Sequence, residues 1–190
     1  LGHGKKSESE VEGKQESGGF RKEFLLFLVV FLAIWLLSYL LTRKFPSFTD
    51  RLEVLVAHEV AFCLDLLRHK FTIDGSILRL LTGHGTEKMV VITECTGLYT
   101  TIIYFAIVGA YPARLKEKGL GLLIGIPAIH VMNLARMVFI ALVLYYRRDL
   151  FHFFHGYLWQ VSFVVFMLLL VILWMTKIVK PKGARRAEHE

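Results

Sequence analysis

Residues 119–146, GLGLLIGIPAIHVMNLARMVFIALVLYY, form a run of 28 positions with one formal charge, Arg136. About 20 apolar residues suffice to cross a ~30 Å hydrocarbon core as helix, so the run reads as a transmembrane span and the chain as an integral membrane protein. Within it His130, Asn133 and Arg136 recur at i, i+3 and i+6 and share one helix face. A guanidinium on a span costs at least ~2.5–3.5 kcal/mol near the bilayer centre. Intramembrane charge therefore marks a functional site unless the side chain snorkels or is paired.

The rest of the chain agrees with that reading. Of its 190 residues 55% are hydrophobic, above the ~45–50% usual for soluble domains, and the mean hydropathy is +0.52. The net charge of +7 does not indicate a nucleic-acid binder, because the basic residues flank uncharged runs instead of forming a continuous polar face. Three further runs have span character: Phe24–Thr42, Thr96–Ala113 and Leu150–Thr176. The first exceeds a signal-peptide core and lacks a small-x-small cleavage site, so it reads as a retained anchor. Four spans place both termini on one side. Lys and Arg number 13 in the two tails and the Arg114–Lys118 loop against 9 in the other connections, which assigns the termini to the cytoplasm. Residues 1–23 are polar and predict a disordered tail, 24–176 a single membrane-embedded domain, and 177–190 a basic cytoplasmic tail.

Two segments lie between the first and second spans. In Arg51–Lys70 apolar residues at helical spacing are interrupted by Glu53, His58, Glu59, Asp65 and Arg68, which predicts an amphipathic helix in the outer interface. Phe71–Thr93 is rich in Ile, Val, Leu and Thr and broken by Asp74-Gly75 and Gly83-His84-Gly85. A β-hairpin outside the bilayer is expected, with strands Ile77–Leu81 and Met89–Thr93. The fold class is thus all-α and integral to the membrane, with four spans, an interfacial helix and a small extracytoplasmic hairpin.

Three chemical groups then coincide in depth. Cys95, in Glu94-Cys95-Thr96-Gly97, opens the second span from outside. Arg136 stands ~24 Å above the inner boundary of the third, counted at ~1.5 Å per residue. His155 precedes the fourth. A thiol, an imidazole and a fixed cation suit nucleophilic catalysis on an acyl group: His155 takes the thiol proton and later returns one. Arg136 stabilises the thiolate or the oxyanion, or orients the substrate carbonyl. Asn133 has the reach to bond Arg136 or the substrate backbone, and His130 lies on the same face. His152 is the second histidine of that turn. Cys63 packs on the interfacial helix; a disulfide to Cys95 would exclude the nucleophile. No metal-ligand spacing, dinucleotide loop or phosphate loop is present, so no cofactor is expected, and His84 reads as a turn residue.

At Glu94-Cys95-Thr96-Gly97, Asn133-Leu-Ala-Arg136 and His155 the sequence resembles the exosortase/archaeosortase family of membrane cysteine transpeptidases. In its compact length and its Gly156–Gln160 continuation it looks most like the short H-type exosortases. The resemblance covers about Leu52–Met175. It implies that Cys95 forms a thioacyl intermediate, that Arg136 is the essential cation and His155 the acid/base, with Glu94, Gly97, His130 and Asn133 in support. The partners it implies are the bilayer and secreted, membrane-anchored proteins with a C-terminal sorting signal made of a motif, a transmembrane helix and a basic cluster. The resemblance further implies cleavage at the outer face and transfer of the new C-terminus to a lipid or cell-surface acceptor. Two readings stand beside it: a protease that only hydrolyses, and a non-enzymatic subunit of an envelope export or polysaccharide complex.

Overall fold

A computed structural model describes the backbone of residues 4–83, 85–154, 156 and 159–179, and the side chains of these except 4–20, 152, 159 and 160. The described chain is mostly helical. Helix α1 (Gly4–Lys44) is followed by α2 (Pro46–Leu66) and by strands β1 (Phe71–Asp74), β2 (Ile77–Thr82) and β3 (Gly85–Val90). A 3-10 turn, Thr93–Cys95, then leads into α3 (Leu98–Ala110), and α4 (Leu115–Tyr146) follows. A second 3-10 turn, Arg148–Leu150, a single helical turn α5 (Phe151–Phe153) and α6 (Trp159–Lys177) come next among the described residues.

Among the described residues, two helices are long and apolar enough to cross a membrane, Arg21–Lys44 within α1 and the whole of α4; α3 and Val161–Lys177 are shorter apolar helices. Backbone chemistry limits α3. Gly97 is left-handed (φ 77°) and delays the helix start, while Tyr111, ahead of Pro112, is already extended (φ −67°, ψ 137°). Of the apolar run from Leu150, the stretch Trp159–Lys177 is α6. At the other end α1 begins at Gly4, inside the stretch whose composition predicts disorder. Lys, Glu and Gln are adequate helix formers, and lengthening a helix already nucleated by the apolar segment fixes one residue per hydrogen bond.

Contacts between the helices alternate in direction. Tyr39 of α1 meets Tyr99 of α3 with ring centroids 6.5 Å apart, and Ile34 abuts Gly109, so these two helices are antiparallel. Asn133 faces Gly97, Tyr104 bonds the Gly121 carbonyl (3.0 Å), and Lys118 Nζ bonds the Gly109 carbonyl (2.6 Å), so α3 and α4 are antiparallel too. Trp174 Nε1 donates to the Glu117 carbonyl (2.9 Å) while Phe163 lies beside Arg136, which sets α6 antiparallel to α4. Glycines bring α4 close to its neighbours: a β-carbon at Gly125 would collide with the Tyr104 ring, and one at Gly121 with the Trp174 indole.

Between Lys44 and Cys95 the chain forms a three-stranded antiparallel sheet in the order β1-β2-β3 instead of the single hairpin expected. Asp74 pairs Ile77 across a two-residue turn in which Gly75 is left-handed (φ 58°). Strand β3 begins directly after the Gly83 turn and includes Gly85-Thr-Glu-Lys, whose lack of apolar alternation hides a strand in sequence. Helix α2 lies over the sheet. Its buried face, Val56, Ala57, Val60, Ala61 and Leu64, joins Leu78, Leu80, Met89 and Val91 and the distal turns of α4 in one core, while Leu55, Phe62 and Leu66 stay exposed.

Gly125→Ala places a methyl against Tyr104 and is expected to destabilise by about 1–3 kcal/mol. At Gly119 an added methyl meets nothing, and Gly119→Ala is expected to be neutral or slightly stabilising. Thermal unfolding of the two variants in detergent measures the difference.

Candidate active site

The 3-10 turn Thr93–Cys95 is built by local hydrogen bonds. Cys95 N–H donates to the Ile92 carbonyl (2.7 Å), Thr96 N–H to the Thr93 carbonyl (3.2 Å), and the Thr96 hydroxyl to that same carbonyl (2.7 Å). Left-handed Gly97 then turns the chain into α3, and a β-carbon there would lie 3.2 Å from Asn133 Cγ. Gly97 is thus required twice, by its backbone angle and by the approach of Asn133.

Helix α4 delivers the polar groups to this turn. Asn133, 1% exposed, donates from Nδ2 to the Cys95 carbonyl (2.8 Å), and Arg136 Nη2 reaches the same oxygen at a long 3.4 Å. The guanidinium also stacks over Phe163 of α6, 5.3 Å from the ring centroid. Asn133 therefore bonds neither Arg136 nor open space; it holds the backbone of the cysteine. Asn133 Oδ1 and Arg136 Nε are buried with no hydrogen-bond partner. Buried polar atoms in that state cost free energy and mark a place where a ligand group can bind.

Three glutamates near the site differ in environment. Glu94 is exposed on the turn, and none of the described hydrogen bonds or ion pairs involves its carboxylate. Glu53 of α2 accepts from the Thr93 hydroxyl (2.6 Å) and so ties the cysteine turn to α2. Glu59, six positions on, meets His130 Nε2 at 3.2 Å and 3.0 Å through its two oxygens, tying the polar face of α4 to the same helix. His130 thus faces α2. Sequence reasoning read Glu53 and Glu59 as polar interruptions of an interfacial helix; their spacing to each other was visible, but their partners, 40 and 71 residues away, were not.

Both cysteines are free; Cys95 is buried and Cys63 half-buried on α2. His155, the side chain of His152, and His84 lie outside the described residues. The segment that leads to His155 is anchored: Phe154 packs edge-on against Phe139 of α4 (5.2 Å), three positions beyond Arg136, and Phe151 packs on the core under the sheet.

Fold and site together define a helical membrane protein whose centre is a thiol held against a cationic helix face. The chain belongs to the transmembrane exosortase family, whose model matches residues 18–175 and so includes every residue of this site. No curated protein and no solved structure matches it significantly. The family is a transmembrane one, in general made up of cysteine transpeptidases or proteases, and it acts on substrates with C-terminal sorting signals within a membrane.

Thr93→Val strips the Glu53 carboxylate of its partner and is expected to cost about 1–3 kcal/mol. Gly97→Ala is expected to cost at least as much, from strained backbone and contact with Asn133. Glu94→Gln changes an exposed group and is expected to stay within about 0.5 kcal/mol of the parent. Chemical or thermal unfolding in detergent ranks the three.

Proposed function

We propose that the protein is a membrane cysteine transpeptidase that cleaves the C-terminal sorting region of secreted, membrane-anchored proteins and passes the new C-terminus to an acceptor. The observation that carries this reading is the convergence of Asn133 and Arg136, from a membrane-length helix, on Cys95.

The chain crosses the bilayer four times, with α1, α3, α4 and α6 as spans and both termini in the cytoplasm. The alternating antiparallel contacts of these helices support this topology, as does the excess of basic residues in the tails and the Arg114–Lys118 loop. Helix α3, about 20 Å long at ~1.5 Å per residue, is completed by the cysteine turn on one side and Tyr111–Ala113 on the other. The sheet and α2 then lie outside the cytoplasm, and Cys95 at the outer interface.

In the reaction His155 takes the Cys95 proton and the thiolate attacks the scissile carbonyl. The C–N bond breaks, the amine leaves with a proton returned by His155, and a thioester on Cys95 remains. An acceptor amine or hydroxyl attacks that thioester, its proton goes to His155, and the thiol is restored. Arg136 stabilises the negative charge. Its Nε is unpartnered and its bond to the Cys95 carbonyl is long, which leaves donor capacity for an oxyanion. Asn133 keeps the nucleophile's backbone in place.

Co-expression of each variant with a substrate bearing a C-terminal sorting region tests this. At normal membrane levels, Cys95→Ser is expected to abolish processing. Arg136→Ala is expected to lower it about 10²–10³-fold, and His155→Ala about 10²–10⁴-fold. Normal processing by Cys95→Ser contradicts the mechanism. Mass analysis of the product separates transfer, which leaves a modified C-terminus, from hydrolysis, which leaves a free carboxylate.

A further inference from the structure

Strand β3 is an edge strand, and its hydrogen-bonding phase follows from its register. Val91 N–H donates to the Ser76 carbonyl (2.9 Å), and β2 pairs Leu78 with Met89, Leu80 with Glu87 and Thr82 with Gly85. In an antiparallel ladder every second pair exchanges hydrogen bonds, so the odd-numbered residues of β3 bond β2. Thr86, Lys88 and Val90 then direct their N–H and C=O groups to the open edge. None of the described hydrogen bonds engages these outward groups. All three side chains are exposed. The opposite edge differs: β1 has four residues, and its outward-facing Phe71 and Ile73 pack against the core.

The open edge leads to the thiol. From Val90 the chain continues through Val91 and extended Ile92 (φ −112°, ψ 167°) into the turn that carries Cys95. Beside the strand lies a cavity of about 520 Å³ lined by Glu87, Lys88, Leu144, Arg148, Asp149 and Phe151, with Arg148 bonded to Glu87 at 2.9 Å. The edge strand has no proline or bulge; Glu87, paired with Arg148, and Lys88 are its two charged residues. Open edges without proline or bulge accept another extended chain.

We propose that β3 is the docking strand for the substrate, which adds to it as a fourth strand through the residues immediately N-terminal to the scissile bond. This rests on the transpeptidase reading above. The direction is fixed by connectivity: β3 approaches Cys95 by its C-terminal end, and the acyl segment of the substrate reaches the thiol by its own C-terminal end. The two strands are therefore parallel. Main-chain bonds to Thr86, Lys88 and Val90 hold the segment in register, and the cavity beside Glu87 and Arg148 takes a polar side chain from it.

The test uses the full-length chain carrying Cys63→Ser and Cys95→Ala, co-expressed with a sorting-region substrate whose cleavage point has been mapped with the parent enzyme. Thr86→Cys, Lys88→Cys and Val90→Cys are each combined with single cysteines placed along the substrate upstream of that point, and disulfides are formed by mild oxidation. Val90→Cys is expected to capture the substrate position nearest the scissile bond, Lys88→Cys one further upstream and Thr86→Cys one further still. Absent or unordered capture, or a reversed order, overturns the proposal.

A backbone variant reads the same contact during turnover. Lys88→Pro removes one outward N–H without touching the β2 ladder. It is expected to raise the substrate concentration needed for half-maximal processing about tenfold, a hydrogen bond's worth, relative to Lys88→Ala. Equal behaviour of the two variants counts against strand addition. Failure of the transpeptidase reading is seen separately, as processing that survives Cys95→Ser.

Discussion

An apolar helix that carries Asn133 and Arg136 must find partners for them inside the protein, because hydrocarbon offers none. The partner is the carbonyl of Cys95. The chain at that level is not α-helical. It is a 3-10 turn closed by a left-handed glycine, and α3 starts only at Leu98. The bonds from the polar face of α4 thus hold a cysteine at the mouth of a short helix, with a guanidinium on its backbone carbonyl.

The surroundings make that arrangement rigid. Helix α2 braces it from one side, holding the cysteine turn through Glu53 and Thr93 and the polar helix through Glu59 and His130. A common core of α2, the sheet and the distal turns of α4 includes Cys95 itself. On the other side, glycines of α4 admit the rings of Tyr104 and Trp174, whose polar tips bond the Gly121 and Glu117 carbonyls. Buried ring donors that reach backbone oxygen add no unpaired polar atom, so α3, α4 and α6 pack closely at little cost.

Much of this was legible in the sequence for one physical reason: the bilayer makes charge conspicuous. Arg136 is the only charged residue in 28 positions, and the spacing from it to Asn133 and His130 already defined a face. Cys95 was legible at the outer start of an apolar run, but the turn that Gly97 closes was not, since that run was read as helix from Thr96. The roles of Glu53 and Glu59 were not, because a carboxylate on an amphipathic helix looks the same whether it meets water or a threonine 40 residues away. The pairing of β3 escaped as well: Gly85-Thr-Glu-Lys has no apolar alternation, and register with β2 supplies what its composition does not. The length of α3 was set by Gly97 and Pro112, local backbone effects that hydropathy does not weigh.

The central claim is that Cys95 carries the acyl group between cleavage and transfer. Acid-quenched enzyme, taken during turnover of a sorting-region substrate and examined by intact and peptide mass spectrometry, tests it most directly. The expected result is a substrate N-terminal fragment bound to the Cys95 peptide, released by hydroxylamine as a thioester is, and absent from Arg136→Ala. Product accumulating with Cys95 unmodified at every time point, or an adduct on Cys63 instead, would contradict it.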